Sequence, residues 1–172
     1  MNAPAQKSNT LKIVLIVVGA LLFLAVAVVG VLFAVGLAGA KKYVSSAKTA
    51  EGRMSVTRLA TGIASCTGEE TAGATISLPE STPWVPAALN EVSGRKFMSA
   101  PTDWEHPSFK CAMFSISMPQ YFRYRWERTS VTQGVARGEA DLDGDGTAEV
   151  VLSSKVNCNS GKCEVGPLTE GP

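Results

Sequence analysis

The run IVLIVVGALLFLAVAVVGVLFAVGLAGA, residues 13–40, decides the fold. It holds no charged residue, no Pro, no Asn and no Gln. At about 1.5 Å of rise per residue it exceeds the roughly 20 apolar residues that cross a bilayer as a helix. A helix apolar on every face needs either lipid or a large protein core around it, and the rest of the chain is too short to build such a core. A membrane helix is therefore expected. A secretory signal peptide has a shorter apolar core of about 7–15 residues. Ala38, Gly39 and Ala40 would suit a cleavage site, but the length favours a retained anchor. Gly30, Gly36, Gly39 and Ala40 leave room for close helix packing.

The flanking charges and the cysteines point in opposite directions. Lys7 and Lys12 precede the run, whereas Lys41, Lys42, Lys48, Arg53 and Arg58 follow it. By the positive-inside rule the larger domain would face the cytoplasm. Cys66, Cys111, Cys158 and Cys163 are an even set in a small domain poor in helix formers, as two disulfides in an oxidising compartment require. Asn159, Ser160, Gly161 and Lys162 place turn formers between the last two cysteines, which suits a disulfide-closed hairpin and leaves Cys66 for Cys111. Zinc is the rival use of four cysteines. There is no CxxC pair, and His106 is the one histidine. The cysteines outweigh the lysines, and an exported domain is expected.

The chain has 16 Lys plus Arg and 15 Asp plus Glu, and every acidic residue lies after the apolar run. A surface of mixed charge and near-neutral balance does not suit a partner bound through phosphate neutralisation, so no nucleic acid is expected. Tyr121 to Arg128 reads YFRYRWER, which resembles a base-stacking platform, but alternation along a strand explains the same letters.

Residues 1–12 read as a short polar, disordered lead and residues 13–40 as the membrane helix. Residues 41–66 continue it as an amphipathic helix, with Tyr43, Ala47, Ala50 and Met54 and then Val56, Leu59, Ala60 and Ile63 at helical spacing. Thr67, Gly68 and Gly73 are expected to stop it. Residues 67–172 form the globular part. Residues 67–107 carry Pro79, Pro83, Pro86, Pro101 and Pro107 and read as a long connection, pinned by Trp84, Phe97 and Trp104, with a short helix over 86–92. Strand periodicity begins after Phe109, over 110–117, 120–128, 131–140 and 147–156, with a short edge over 163–168. The expected class is α+β: a long N-terminal helix, half in membrane and half amphipathic, packed on an antiparallel sheet of three to five strands.

One motif carries chemistry. Asp141, Asp143 and Asp145 at alternate positions, then Gly146 and Glu149, match the first nine places of a calcium loop. The twelfth place, normally a bidentate Glu, is Leu152, and no helices flank the loop. Calcium held by Asp141, Asp143, Asp145 and Glu149 would be weak and structural; the other reading is a polar turn whose Asp side chains cap backbone amides. His106 precedes a proline and has no arranged partner, and no serine or threonine sits in a nucleophile motif, so an enzyme is not expected.

The whole order resembles the type IV pilin and pseudopilin family, and more narrowly the pilin-like proteins of myxobacteria and related delta-proteobacteria. Lys48-Thr49-Ala50-Glu51 resembles the segment just past the membrane helix, Pro119-Gln120-Tyr121-Phe122-Arg123-Tyr124 the central strand, and Asp141 to Gly146 the DLDGDG turn before a last strand. The resemblance implies a non-enzymatic assembly subunit, with its N-terminus cytoplasmic and its domain periplasmic or displayed on a fibre, whose partners are other pilin-like subunits and the membrane. The chain departs from the family pattern in two places. No acidic residue precedes Glu51, and no Gly-Phe processing junction stands near Lys12.

Overall fold

In a computed structural model, residues 8–70 and 77–171 are described, with side chains at 12–32, 43, 46–67 and 77–171. The chain divides into two compact units, Met1–Val44 and Ser45–Pro172. Helix α1 spans Ser8–Glu70 and so includes residues 8–12 of the lead expected to be disordered; residues 1–7 lie outside the described residues. In the first unit, Lys12–Leu32 is long and apolar enough to cross a membrane, and every one of its side chains is exposed. The helix ends past Cys66 at Glu70, beyond the Thr67 and Gly68 expected to stop it; Gly73 is outside the described residues.

In the second unit α1 buries one stripe. Val56, Leu59, Ala60 and Ile63 repeat at three- and four-residue spacing and have no accessible surface. Burial of a large aliphatic side chain contributes about 1.5–3 kcal/mol, so this stripe is a main source of the domain's stability. The expected stripe of Tyr43, Ala47, Ala50 and Met54 does not pack: Tyr43 and Met54 are 77% and 76% exposed. At this level the close approach to the sheet is made by Gly52, and Thr49 is also buried; no apolar pattern marks either. A Cβ on Gly52 would stand 2.7 Å from the Phe122 ring and Leu152 Cδ1, so helix and sheet approach closely only because it is absent.

The sheet is antiparallel throughout: β1 (Arg123–Arg128), β2 (Gln133–Ala140), β3 (Val150–Asn159), β4 (Lys162–Val165) and β5 (Thr169–Gly171). β1, β2 and β3 lie side by side, and β4 and β5 share the outer edge of β3. Phe122, Tyr124 and Trp126 alternate inward to join Leu152 and Val156 beneath α1, as the period of two requires. Arg123, Arg125 and Glu127 point outward: Arg123 pairs with Glu139, its register partner on β2, and Glu127 takes Arg137 of β2 together with Arg125 of its own strand. The stacking-platform letters are thus the two faces of one strand.

The strand expected over 110–117 is absent. Pro107–Cys111 is a short helix, α2, because Pro107 suits a first helical position and His106 Nδ1 accepts the Ser108 N–H at its start. Met113 then turns through φ 48°, and the Phe114 amide donates to Phe109 O, which ends the alternation that KCAMFSIS displays. The connection before α2 is ordered by many partners. Leu78 and Val85 bond the backbone of Val131 and Tyr124, so residues 78–85 cover the free edge of β1. Trp104 is buried edge-on against Phe109 and Phe114, Phe97 bridges Gln120, and Trp84 lies under the guanidinium groups of Arg123 and Arg125. A single 3-10 turn at Leu89–Glu91 falls where a short helix was expected.

The four cysteines form two disulfides, Cys66–Cys111 and Cys158–Cys163. No free thiol remains to hold zinc. The first bond pins α1 to α2, since Cys111 is helical; the second closes the β3–β4 hairpin, where the two residues are register partners.

Candidate metal centre

The acidic turn joins the end of β2 at Ala140 to the start of β3 at Val150. Gly144 and Gly146, at φ 86° and 94°, supply the left-handed conformations that curl it. Asp141 lies at the centre and is fully buried. Its carboxylate accepts the Gly144 and Gly146 N–H groups at 2.7 and 2.8 Å and the Ser93 hydroxyl at 2.5 Å. The Gly94 N–H reaches the Asp141 carbonyl at 2.8 Å, and Gly94 Cα lies against Gly144. Asp143 accepts from Asp145 N, Asp145 from Thr147 N, and Glu149 from Leu142 N. The amide-capping turn therefore exists in full.

The same geometry gathers oxygens. One carboxylate oxygen each from Asp141, Asp143, Asp145 and Glu149 lies within 4.8 Å of the others. Oxygens on opposite sides of a calcium ion stand about 4.6–5.2 Å apart, so the cluster has the spread of a shared cation. Asp143, Asp145 and Glu149 are exposed and Asp141 is buried. Burial opposes the charge on Asp141, but the Ser93 hydroxyl and the amides of Gly146, Gly144 and Asp145 outweigh it and hold its carboxyl below the usual range. Burial pushes Glu149 up despite the Leu142 amide, and Asp143 beside it adds to the rise. Carboxylates crowded in this way are the setting a hard divalent cation relieves. The cluster can in principle hold a metal ion through four oxygen donors. Leu152, at the twelfth loop place, is fully buried in the core and supplies none.

Lys48 and Glu51 meet Tyr121 in the second unit. The Tyr121 N–H donates to Glu51 at 2.9 Å, the Lys48 ammonium lies over the Tyr121 ring, and Lys96, which follows Gly94 and Arg95, lies over the same ring. Compared with protein-family models, curated proteins and solved structures, the chain matches none. Ser93 and Gly94 are the contributors no sequence signal marked, since each depends on a contact with Asp141 far along the chain. His106 lies apart near Cys111 and Glu80 with its Nδ1 engaged in the α2 cap, and the neighbouring Ser108 hydroxyl donates to Glu80 O.

Proposed function

We propose that this chain is a non-enzymatic, membrane-anchored pilin-like subunit, a minor component of a type IV pilus or of a type II secretion pseudopilus, that assembles with other pilin-like subunits through its N-terminal hydrophobic helix. One observation carries the reading. The helix that supplies the apolar segment Lys12–Leu32 also supplies, in Val56, Leu59, Ala60 and Ile63, the layer that covers an antiparallel sheet. The two disulfides support a single-pass inner-membrane protein with the domain in the periplasm or at the cell surface. Mass spectrometry of the native N-terminus tests it together with the sheared surface fraction: a cut before the apolar run and recovery in the sheared material are expected. An intact chain that stays with the membrane would sink the fibre role.

A second reading has its own observation. No acidic residue stands in α1 before Glu51, so the subunit-registering carboxylate of the family is missing. This favours a permanently anchored periplasmic domain that serves as a binding or adhesion module. In either case the acidic turn is proposed to bind calcium as a structural ion, with the four clustered oxygens as support. Calorimetric titration of the full chain in detergent should show heat at millimolar calcium, removed by Asp143→Asn with Asp145→Asn. No heat and an unchanged melting point would rule calcium out.

A further inference from the structure

Residues 114–117 keep the alternation of a strand, yet no strand lies beside them. Phe114 is buried, Ser115 exposed, Ile116 half-buried and Ser117 exposed, the period of two that a β-strand gives. On either side the main chain is paired, the Phe114 amide donating to Phe109 O and the Gln120 amide to Phe97 O. Between them, among the described residues, the amides of Ser115, Ile116, Ser117 and Met118 donate to no protein acceptor. Main-chain groups left open in a row are what an added strand pairs with. The Ser99 hydroxyl, which donates to the Ile116 carbonyl at 3.1 Å, ties the segment down without filling that row.

A groove of about 550 Å³ opens beside this segment, lined by Trp104, Phe109, Phe114 and Ile116. Trp104 is only 4% exposed, and its indole N–H has no acceptor among the described residues. A buried donor left unpaired is costly, and an incoming main chain brings carbonyl oxygens. Met113, which also lines the groove, is 80% exposed. Met98 and Met118, next in sequence to the lining residues Ser99 and Ser117, are more than half exposed. Thioether side chains adapt to apolar partners of varied shape. Two of the charges here cancel, since Lys110 and Glu105 of the lining pair at 3.6 Å. Arg58 of α1 does not cancel. It is exposed, donates to the Met113 carbonyl at 3.1 Å and lies 5.6 Å from the centre of the Phe114 ring, and it forms no ion pair among the described residues. The uncompensated charge at the groove is thus one guanidinium, whose planar fork suits a carboxylate.

We propose that residues 114–118 receive an extended segment of a partner protein, which pairs with them as an added strand, seats an apolar side chain in the groove over Trp104 and Phe109, and directs a carboxylate to Arg58. The strand that these residues lack is then supplied by the partner. The surface lies wholly in the second unit and serves the chain whether or not it enters a fibre.

The test uses the full chain in phosphatidylcholine nanodiscs and two labelled, capped peptides, Asp-Thr-Phe-Thr-Leu-Thr and the same residues in reverse order. Fluorescence anisotropy should show one of them binding saturably, with a dissociation constant of about 100 μM, and hydrogen exchange should slow over residues 114–118. N-methylation of alternate peptide amides leaves the protein untouched and should weaken binding about tenfold, because it removes the ladder. Arg58→Gln should weaken the Asp peptide about fivefold and leave its Asn counterpart unchanged. No saturable binding by either peptide overturns the proposal. Equal affinity of the N-methylated peptide overturns it too, since the groove would then take apolar side chains without a strand. Displacement of the peptide by decanoate at equal affinity also overturns it, because an acyl chain with a carboxylate would be the better description of the occupant.

Discussion

From Lys12 to Leu32 every side chain of α1 is exposed, whereas Val56, Leu59, Ala60 and Ile63 further along the same helix lose all their accessible surface. The first segment is apolar on all sides; the second is apolar on one stripe and carries exposed Arg58 and Thr61 opposite. The contrast reflects two solvents. Lipid rewards an apolar residue at any angle around the axis, whereas a sheet rewards only those that face it. The folding stability of the domain should therefore depend on the second segment and be indifferent to the first.

The largest break in that contrast is expected from the Cys66–Cys111 bond, which ties the packed segment to α2. It spans 45 residues, so Cys66→Ser with Cys111→Ser should cost about 4 kcal/mol in denaturant unfolding followed by the fluorescence of buried tryptophans, against about 2 kcal/mol for the hairpin pair. Equal losses would mean that loop length is not what these bonds restrict. Next in size, Leu59→Ala should cost about 3 kcal/mol by the same measurement while Leu22→Ala leaves the domain unchanged. A matching loss at Leu22 would show that the apolar segment takes part in domain folding.

Asp141→Ala should follow, at about 2 kcal/mol, because it strands the amides of Gly144 and Gly146 in a turn that holds β2 to β3. Its pH signature is distinct. The folded carboxyl titrates below the ordinary aspartate range, so its stabilisation is present above that range and is lost as pH falls through the folded value. The smallest effect belongs to Glu51, where α1 first meets the sheet. Burial raises its carboxyl, opposed by the Tyr121 amide and by Lys96. A raised folded value makes the contribution complete below the ordinary glutamate range and lost as pH rises through the folded one. Thermal melts of Glu51→Gln across that window should lack this decline. Parallel curves for the two proteins would show that burial of Glu51 has no thermodynamic weight.

Local chemistry made much of the fold legible. The alternation of Phe122, Tyr124 and Trp126 needs no partner to be read, and Val56, Leu59, Ala60 and Ile63 declare a face by spacing alone. Residues 110–117 misled because Phe114 and Ile116 alternate with serines, yet Pro107 and the His106 cap commit the start of that segment to helix. The stripe through Tyr43 and Met54 misled because the contact there is made by Gly52, chosen for closeness rather than apolarity. β5 follows Pro167 and has no apolar signal; Ser153 and Thr169 hold it through their hydroxyl groups. In the acidic turn the four carboxylates were legible from spacing, but Ser93 and Gly94, which brace it, were not.

The shared edge of β3 bears on how copies of this chain can meet. β4 covers Val156–Asn159 and β5 covers Val151–Ser153, and between them Gly166 bonds Lys155 and Ser154 while Pro167 offers no N–H. A visiting strand would find two short, misaligned rims on this side and residues 78–85 already seated along the other. The sheet is thus closed to growth by strand addition, and crowding on a membrane need not lead to amyloid-like stacking.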